Sequence, residues 1–197
     1  MGKQLIIAVS REFGSGGHEI ADILAKKFNI PIYDNNLLTE IANSKNFDVD
    51  TLEKYDEKPK NIFLSRSVRG YSNSLSEVLA QMQFDYIREL ANKGESFVIV
   101  GRCAETVLKN HPALVSIFVL ADKESKITRV SKHNDISRSE AESLINMQNK
   151  KRKTYHNRYC EDKWGDSRNY DVCVNSAKLG IERTADILEE YIKEFAQ

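Results

Sequence analysis

Ser10-Arg11-Glu12-Phe13-Gly14-Ser15-Gly16-Gly17-His18 separates two segments of different periodicity. Before it, Leu5-Ile6-Ile7-Ala8-Val9 is apolar at every position, the pattern of a central parallel strand covered on both faces. After it, Ile20, Ile23, Leu24 and Phe28 recur at helical spacing, predicting a helix from about His18 to Phe28 that Asn29 and Pro31 end. Strand, glycine-rich turn and helix in that order make a βα unit whose turn offers consecutive backbone N–H groups to an anion. The positive end of the helix dipole adds to the attraction. The backbone of Gly14 to His18 is therefore a candidate phosphate cradle, with Gly14, Ser15, Gly16, Gly17 and His18 as its residues.

Working outward, Ile32-Tyr33-Asp34 reads as a short second strand that puts Asp34 at its carboxyl end, where open α/β sheets collect functional groups. Residues 35–92 form a long, mostly helical excursion, interrupted at Lys58-Pro59 and by a polar stretch over 65–73. Its last helix carries a capping-box spacing, Ser74 and Glu77, and an apolar face of Val78, Leu79, Met82, Tyr86 and Leu90. Ser96 to Val100 is the next buried strand and places Gly101-Arg102 at its carboxyl end. A short helix over Ala104 to Lys109 and a strand over Leu114 to Leu120 follow. A helix carrying Ile127 and Val130 projects Arg129. Ser137 and Glu140 then cap a helix with a narrow apolar side, Ala141, Leu144 and Ile145, that runs into Lys150-Lys151-Arg152-Lys153. Trp164-Gly165-Asp166 reads as a turn, Asp171 to Asn175 as the last strand, and Ile181 to Phe195 as a closing helix with Ile187, Leu188, Tyr191 and Ile192 inward.

Composition narrows the class. The 197 residues fit one domain, 1–197, with a fully buried sheet. Lysine plus arginine and aspartate plus glutamate each total 29, which argues against general nucleic-acid or membrane-surface binding. Cys103, Cys160 and Cys173 fit no zinc spacing and read as small buried thiols without a catalytic triad, as expected of a cytoplasmic protein. No apolar run approaches the roughly 20 residues that span a bilayer.

The loop keeps only part of the phosphate-loop pattern G-x-x-x-x-G-K-[ST]: Arg11 replaces its first glycine, Gly17 its lysine and His18 its magnesium-binding hydroxyl. That lysine ordinarily supplies a positive charge to the transferred phosphate. Arg11, His18 and the basic segment from Lys150 to Arg158 are the candidates to replace it. Arg102 is placed to pair bidentately with a phosphate, and Asp34, with Glu12 second, to hold a metal.

With these parts placed, the chain resembles the cytidylate kinase-like family, a branch of the nucleoside monophosphate kinases among P-loop proteins. The carrying residues are Ser10 to Ala21, Ile32-Tyr33-Asp34, Val100-Gly101-Arg102, the basic helix from Lys151 to Arg158, and Asn169-Tyr170-Asp171. The resemblance implies a three-layer α/β P-loop NTPase fold with a five-stranded parallel sheet, a monophosphate-binding insertion over 35–92 and a lid over 134–169. It also implies ATP with Mg2+ and a nucleotide or other small phosphorylated substrate. Asp34, Arg102 and Lys151 would contact that substrate, and Arg102, Arg129, Arg152 and Arg158 would stabilise the charge in transfer. True cytidylate kinases have Asp-Gly-Arg-Asp where this chain has Val100-Gly101-Arg102-Cys103, which keeps the arginine and loses both carboxylates. The alternatives are a nucleotide-binding regulatory protein with little turnover, or a small-metabolite kinase on the same scaffold.

Overall fold

In the computed structural model, residues 3–34, 37–45, 67–68, 71–72 and 75–196 are described. The elements are β1 (Ile6–Arg11), α1 (Gly17–Phe28), β2 (Ile32–Tyr33), α2 (Leu37–Lys45), β3 (Ser67–Val68), β4 (Tyr71–Ser72), α3 (Leu75–Asn92), β5 (Phe97–Val100), α4 (Ala104–Val107), β6 (Leu114–Leu120), α5 (Lys123–Asn134), α6 (Arg138–Tyr159), a 3-10 turn (Ser167–Asn169), β7 (Val172–Asn175) and α7 (Ser176–Phe195).

Five strands form one parallel sheet in the order β2-β5-β1-β6-β7, and β3 and β4 pair separately as a short antiparallel hairpin. The layering follows from the strand pleat. Ile6 and Ala8 face a core built with α2, α3 and α4, whereas Ile7 and Val9 face one built with α1 and α7. A strand covered on both sides has no polar face, which is why β1 is continuously apolar. Each fully buried isoleucine in it contributes about 1.5–3 kcal/mol of transfer free energy. The expected three-layer α/β architecture is present. Among the described residues no helix is long and apolar enough to cross a membrane.

The register fixes the functional edge. Val9 pairs with Val100, and Tyr33 with Ile99, so the chain leaves β1, β5 and β2 at one level, with Arg11, Gly101 and Asp34 side by side.

Several boundaries and faces differ from the sequence expectations. β1 runs to Arg11 rather than stopping at Val9, because Ser10 and Arg11 continue the ladder against Phe118 and Val119 of β6. α4 ends at Val107 instead of Lys109. The polar stretch within the excursion contains the β3–β4 hairpin; Lys58-Pro59 and Ser74 of the expected capping box lie outside the described residues. Val78, Ile187 and Tyr191 were expected inward but are 45%, 38% and 41% exposed. The buried stripe of α3 is instead centred on Leu79, Gln83 and Ile87, and that of α7 on Thr184, Leu188 and Ile192. α7 also begins earlier, at Ser176. Gly180, with φ 77° and ψ 172°, kinks it just before the expected start at Ile181. Of the three cysteines, Cys173 is exposed.

The Ser137–Glu140 capping box forms as the spacing predicts, with both reciprocal bonds present. The segment expected to be a lid is thus mainly one 22-residue helix, α6. Ala141 and Ile145 pack it on Ile127 and Val130 of α5.

Candidate functional site

The loop between β1 and α1 is held open by its own side chains and by its neighbours. Gly14 and Gly16 adopt left-handed backbone (φ 78° and 77°), which only glycine enters without strain. Ser15 Oγ donates to the Glu12 carbonyl (2.9 Å) and accepts from the Gly17 N–H (3.3 Å). Ser176 Oγ donates to the Ser15 carbonyl, and Arg129 Nη1 to the Gly14 carbonyl. Among the described residues the N–H groups of Gly14, Gly16, His18 and Glu19 donate to no protein acceptor, which leaves the mouth of the loop lined by available donors.

Arg11 occupies the space that the loop's missing lysine would use. A Cβ added at Gly17 would stand 2.5 Å from Arg11 Cβ and 3.2 Å from Val119 Cβ, and one added at Gly101 would collide with Arg11 Nη1. The arginine side chain therefore starts beside position 17 and ends over the carboxyl end of β5. Its Nε is buried and has no partner among the described residues. Burial pushes its pKa down to about 9, helped by the neighbouring charges of Arg152 and Arg102 and opposed by Asp34 and Glu105. A cation so disfavoured in the free protein is poised for an anion.

Two more arginines converge there. Arg152 of α6 donates to the Arg11 carbonyl (3.1 Å) and lies 5.4 Å from the centre of the Phe13 ring. Burial lowers its pKa to about 10. Arg102 donates to Gln83 Oε1 (3.4 Å), which also accepts from the Tyr155 hydroxyl (3.4 Å). Gly101, Arg102 and Cys103 all have positive φ (79°, 58° and 55°). For the two non-glycine residues this costs about 1–2 kcal/mol each, a strain that persists only where surrounding contacts enforce it. Asn149 of α6 accepts from the Phe13 N–H (2.7 Å), so α6 touches the loop at two points.

The other expected residues are placed differently. Glu12 forms a 2.7 Å ion pair with Lys126 and is committed to bracing the loop. His18 Nε2 lies 3.5 Å from Asp22 and 3.6 Å from Asp34, so its side chain faces carboxylates while its N–H belongs to the loop. Arg129 grips the loop from behind through Gly14. Arg158 pairs with Glu77 of α3 and lies over the Tyr159 ring, so it ties α6 to α3 rather than facing the loop. Lys151 is exposed on the same turn as Arg152.

Sequence reasoning missed Gln83, Glu105, Asn149 and His156. Gln83 is fully buried, and the available signal was a glutamine between Leu79 and Ile87 at helical spacing. Glu105 and His156 are both 4% exposed and paired at 2.8 Å, and Ser10 Oγ donates to the other Glu105 oxygen (3.1 Å). Among the described residues no group of three His, Cys, Asp or Glu is placed to hold a metal. Magnesium ordinarily needs only one or two carboxylates beside substrate phosphates, and Asp34 fits that lean donor set where Glu12 does not.

Comparison with known proteins agrees with this architecture. Residues 6–178 match the cytidylate kinase-like family. An uncharacterized protein from Eubacterium ventriosum superimposes with a TM-score of 0.77 at 39% identity, over 96% of this chain and 99% of that one. Shikimate kinase from Bacteroides thetaiotaomicron (TM-score 0.56, 14% identity, 96% and 98% covered) and a gluconokinase from Sinorhizobium meliloti (TM-score 0.53, 12% identity, 100% and 95% covered) share the fold. No curated protein matches the sequence.

Proposed function

Because the chain belongs to the cytidylate kinase-like family, we propose that it transfers the γ-phosphoryl group of ATP to the phosphate of a nucleoside monophosphate. The observation that carries this reading is the clustering of Arg11, Arg102 and Arg152 at the carboxyl edge of the sheet, where the loop with its open N–H groups begins. Phosphoryl transfer needs little covalent help from a protein. It needs two phosphates held in line and positive charge where negative charge develops.

In this reading the free N–H groups of Gly14, Gly16, His18 and Glu19 hold the donor's β- and γ-phosphates. Arg11 supplies the charge that the lysine supplies elsewhere, from the first residue of the loop instead of its end. Arg102, oriented by Gln83, takes the acceptor phosphate, and Arg152 reaches from α6 to the loop where the transferred group would pass. Arg129 acts on the loop's shape. Magnesium, held by the donor phosphates and Asp34, would neutralise phosphate charge. Packing of α6 over the loop keeps water, a competing acceptor, away from the donor.

The test is to incubate the protein with ATP and magnesium and a panel of nucleoside monophosphates, free nucleosides and small hydroxylated acids, following ADP formation and thermal stabilisation together. ADP formed with a monophosphate and not with the matching nucleoside is the expected result. A folded protein that ATP does not stabilise refutes the donor site. ADP formed only with an unphosphorylated acceptor refutes the role given to Arg102.

A further inference from the structure

Beside the phosphate crevice runs a buried line of groups that the proposed transfer does not use. Ser10 Oγ donates to Glu105, Glu105 Oε1 meets His156 Nε2 at 2.8 Å, and beyond His156 lie Cys160 and Cys103 in one small cluster with Ala80 and Phe84. His156 Nδ1 is buried with no hydrogen-bond partner among the described residues, and the imidazole and the Cys160 thiol shift each other's ionisation. Cys160 in turn packs with Cys103 in that cluster, and the two thiols shift each other's ionisation. An acid, an imidazole and a thiol in that sequence orient and activate a sulfur nucleophile. Here a second thiol is already in contact with it.

The backbone fixes both sulfurs. Cys160 ends α6, its N–H bonded to the His156 carbonyl at 2.9 Å, so the imidazole lies one turn behind the thiol. Cys103 is held in left-handed backbone at the start of α4, next to Arg102. The neighbouring Cys103 thiol favours the Cys160 thiolate, burial opposes it, and His156 and Thr106 favour it again; the net shift is downward. The Cys103 thiol is pushed up by the neighbouring Cys160 and by burial. Burial also works against the His156 imidazolium, but the neighbouring Cys160 and Glu105 prevail and lift its pKa to about 10. The negative end of the α6 dipole disfavours a thiolate at Cys160 and favours the imidazolium behind it.

We propose that Cys160 and Cys103 form a peroxide-reactive dithiol site in which Cys160 is the nucleophile, His156 the proton donor oriented by Glu105, and Cys103 the resolving thiol. The Cys160 thiolate attacks one oxygen of hydrogen peroxide. The O–O bond breaks, and the leaving hydroxide takes the His156 proton to become water. Cys103 then attacks the Cys160 sulfenic sulfur. The S–O bond breaks, and the hydroxide leaves as water with the Cys103 proton. The two sulfurs lose two electrons and the peroxide gains them, giving a disulfide, a neutral imidazole and two waters. Cys160 is buried, 9% exposed as a residue, so the oxidant that reaches its sulfur should be close to water in size and not a bulky disulfide. Cys173, exposed as a residue but with partial desolvation pushing its thiol up, is the natural comparison and the poorer nucleophile. The bond would join the turn that carries Arg102 to the helix that carries Arg152. The chemistry itself does not depend on the kinase reading.

The test uses the full chain carrying Cys173→Ser. It is treated with hydrogen peroxide, unfolded in an alkylating agent, digested and mapped by mass. The expected product is a Cys103–Cys160 disulfide that dithiothreitol reverses. With Cys103→Ser added, a dimedone reagent should capture a sulfenic acid at Cys160. Glu105→Gln and His156→Gln should each slow oxidation at least about tenfold. If both thiols of the folded protein stay fully alkylatable after peroxide, the proposal is overturned. It is equally overturned if oxidation in a folded His156→Gln chain is as fast as in the parent.

Discussion

Replacing Arg11 by methionine should make the ligand-free protein more stable and its donor site much weaker. The guanidinium is disfavoured by burial and by Arg152 and Arg102, with only partial relief from Asp34 and Glu105, so its pKa falls to about 9. At roughly 1.4 kcal/mol per tenfold change in proton affinity, the gap to the ordinary guanidinium range is about 4–5 kcal/mol against the charged side chain. The sign follows from the direction. A base whose folded-state pKa is depressed binds its proton more weakly when folded, so the penalty is fully present below about pH 9 and is relieved as pH rises above it. At pH 7.5 a neutral side chain of similar length removes this penalty and forfeits little hydrogen bonding. The buried Nε has no partner among the described residues, and Arg152 bonds the Arg11 carbonyl, which remains. Allowing for imperfect packing of the thioether, a net gain of about 1–3 kcal/mol is expected. For a chain of this size that is a rise of roughly 2–12 °C in Tm. Magnesium and ATP at 100 times Kd should raise the Tm of the parent protein by the equivalent of about 2.7 kcal/mol, and that of Arg11→Met far less. Differential scanning fluorimetry with and without ATP measures both. A variant less stable than the parent without ligand would show that the guanidinium is structural, and an unchanged response to ATP would show that it does not meet the donor.

The remaining expectations concern its neighbours. Arg102→Ala should raise the KM for the phosphorylated acceptor about 10- to 100-fold, as loss of a charge-assisted hydrogen bond does, while ATP-induced stabilisation stays near that of the parent; equal loss of both functions would contradict the acceptor role. Gly17→Lys, which restores the residue usual in phosphate loops, should destabilise the protein by about 1–3 kcal/mol and add no activity, because its Cβ would stand 2.5 Å from Arg11 Cβ; a more active single variant would refute this packing argument. His156 has a folded pKa raised to about 10, so its contribution is complete below the ordinary imidazole value and disappears as pH climbs towards 10. Between pH 6.5 and 9, before relief at Arg11 begins, Tm of the parent should fall more steeply than that of His156→Gln; parallel curves would mean that the buried Glu105–His156 pair carries no charge.

Much of this was legible in the chain because the sheet announces itself. β1, β5 and β6 are apolar at nearly every position, and only a strand covered on both faces requires that. The position of Arg11, Gly101-Arg102 and Asp34 at strand ends then follows from parallel order alone. Helix faces were less legible, since a period of 3.6 finds a stripe without finding its centre, and Val78, Ile187 and Tyr191 sit on its exposed shoulders. Partners brought together by the fold left almost no trace. Nothing near Arg158 points to Glu77, 81 residues away, and His156 is hidden in a basic run although it serves a buried acid on another helix. The loop is the sharpest case. In the sequence, arginine at position 11 and glycine at position 17 read as two separate departures from the phosphate-loop pattern. In the structure they are a single exchange: the arginine side chain rises through the space that a side chain at 17 would fill, and its guanidinium reaches the edge of β5. A lysine at 17 and an arginine at 11 exclude each other, and absence of both would leave Arg102 and Arg152 to supply the charge alone. The two positions should therefore be substituted together, Arg11→Gly with Gly17→Lys. The pair should recover the stability that Gly17→Lys alone loses, because each change makes room for the other.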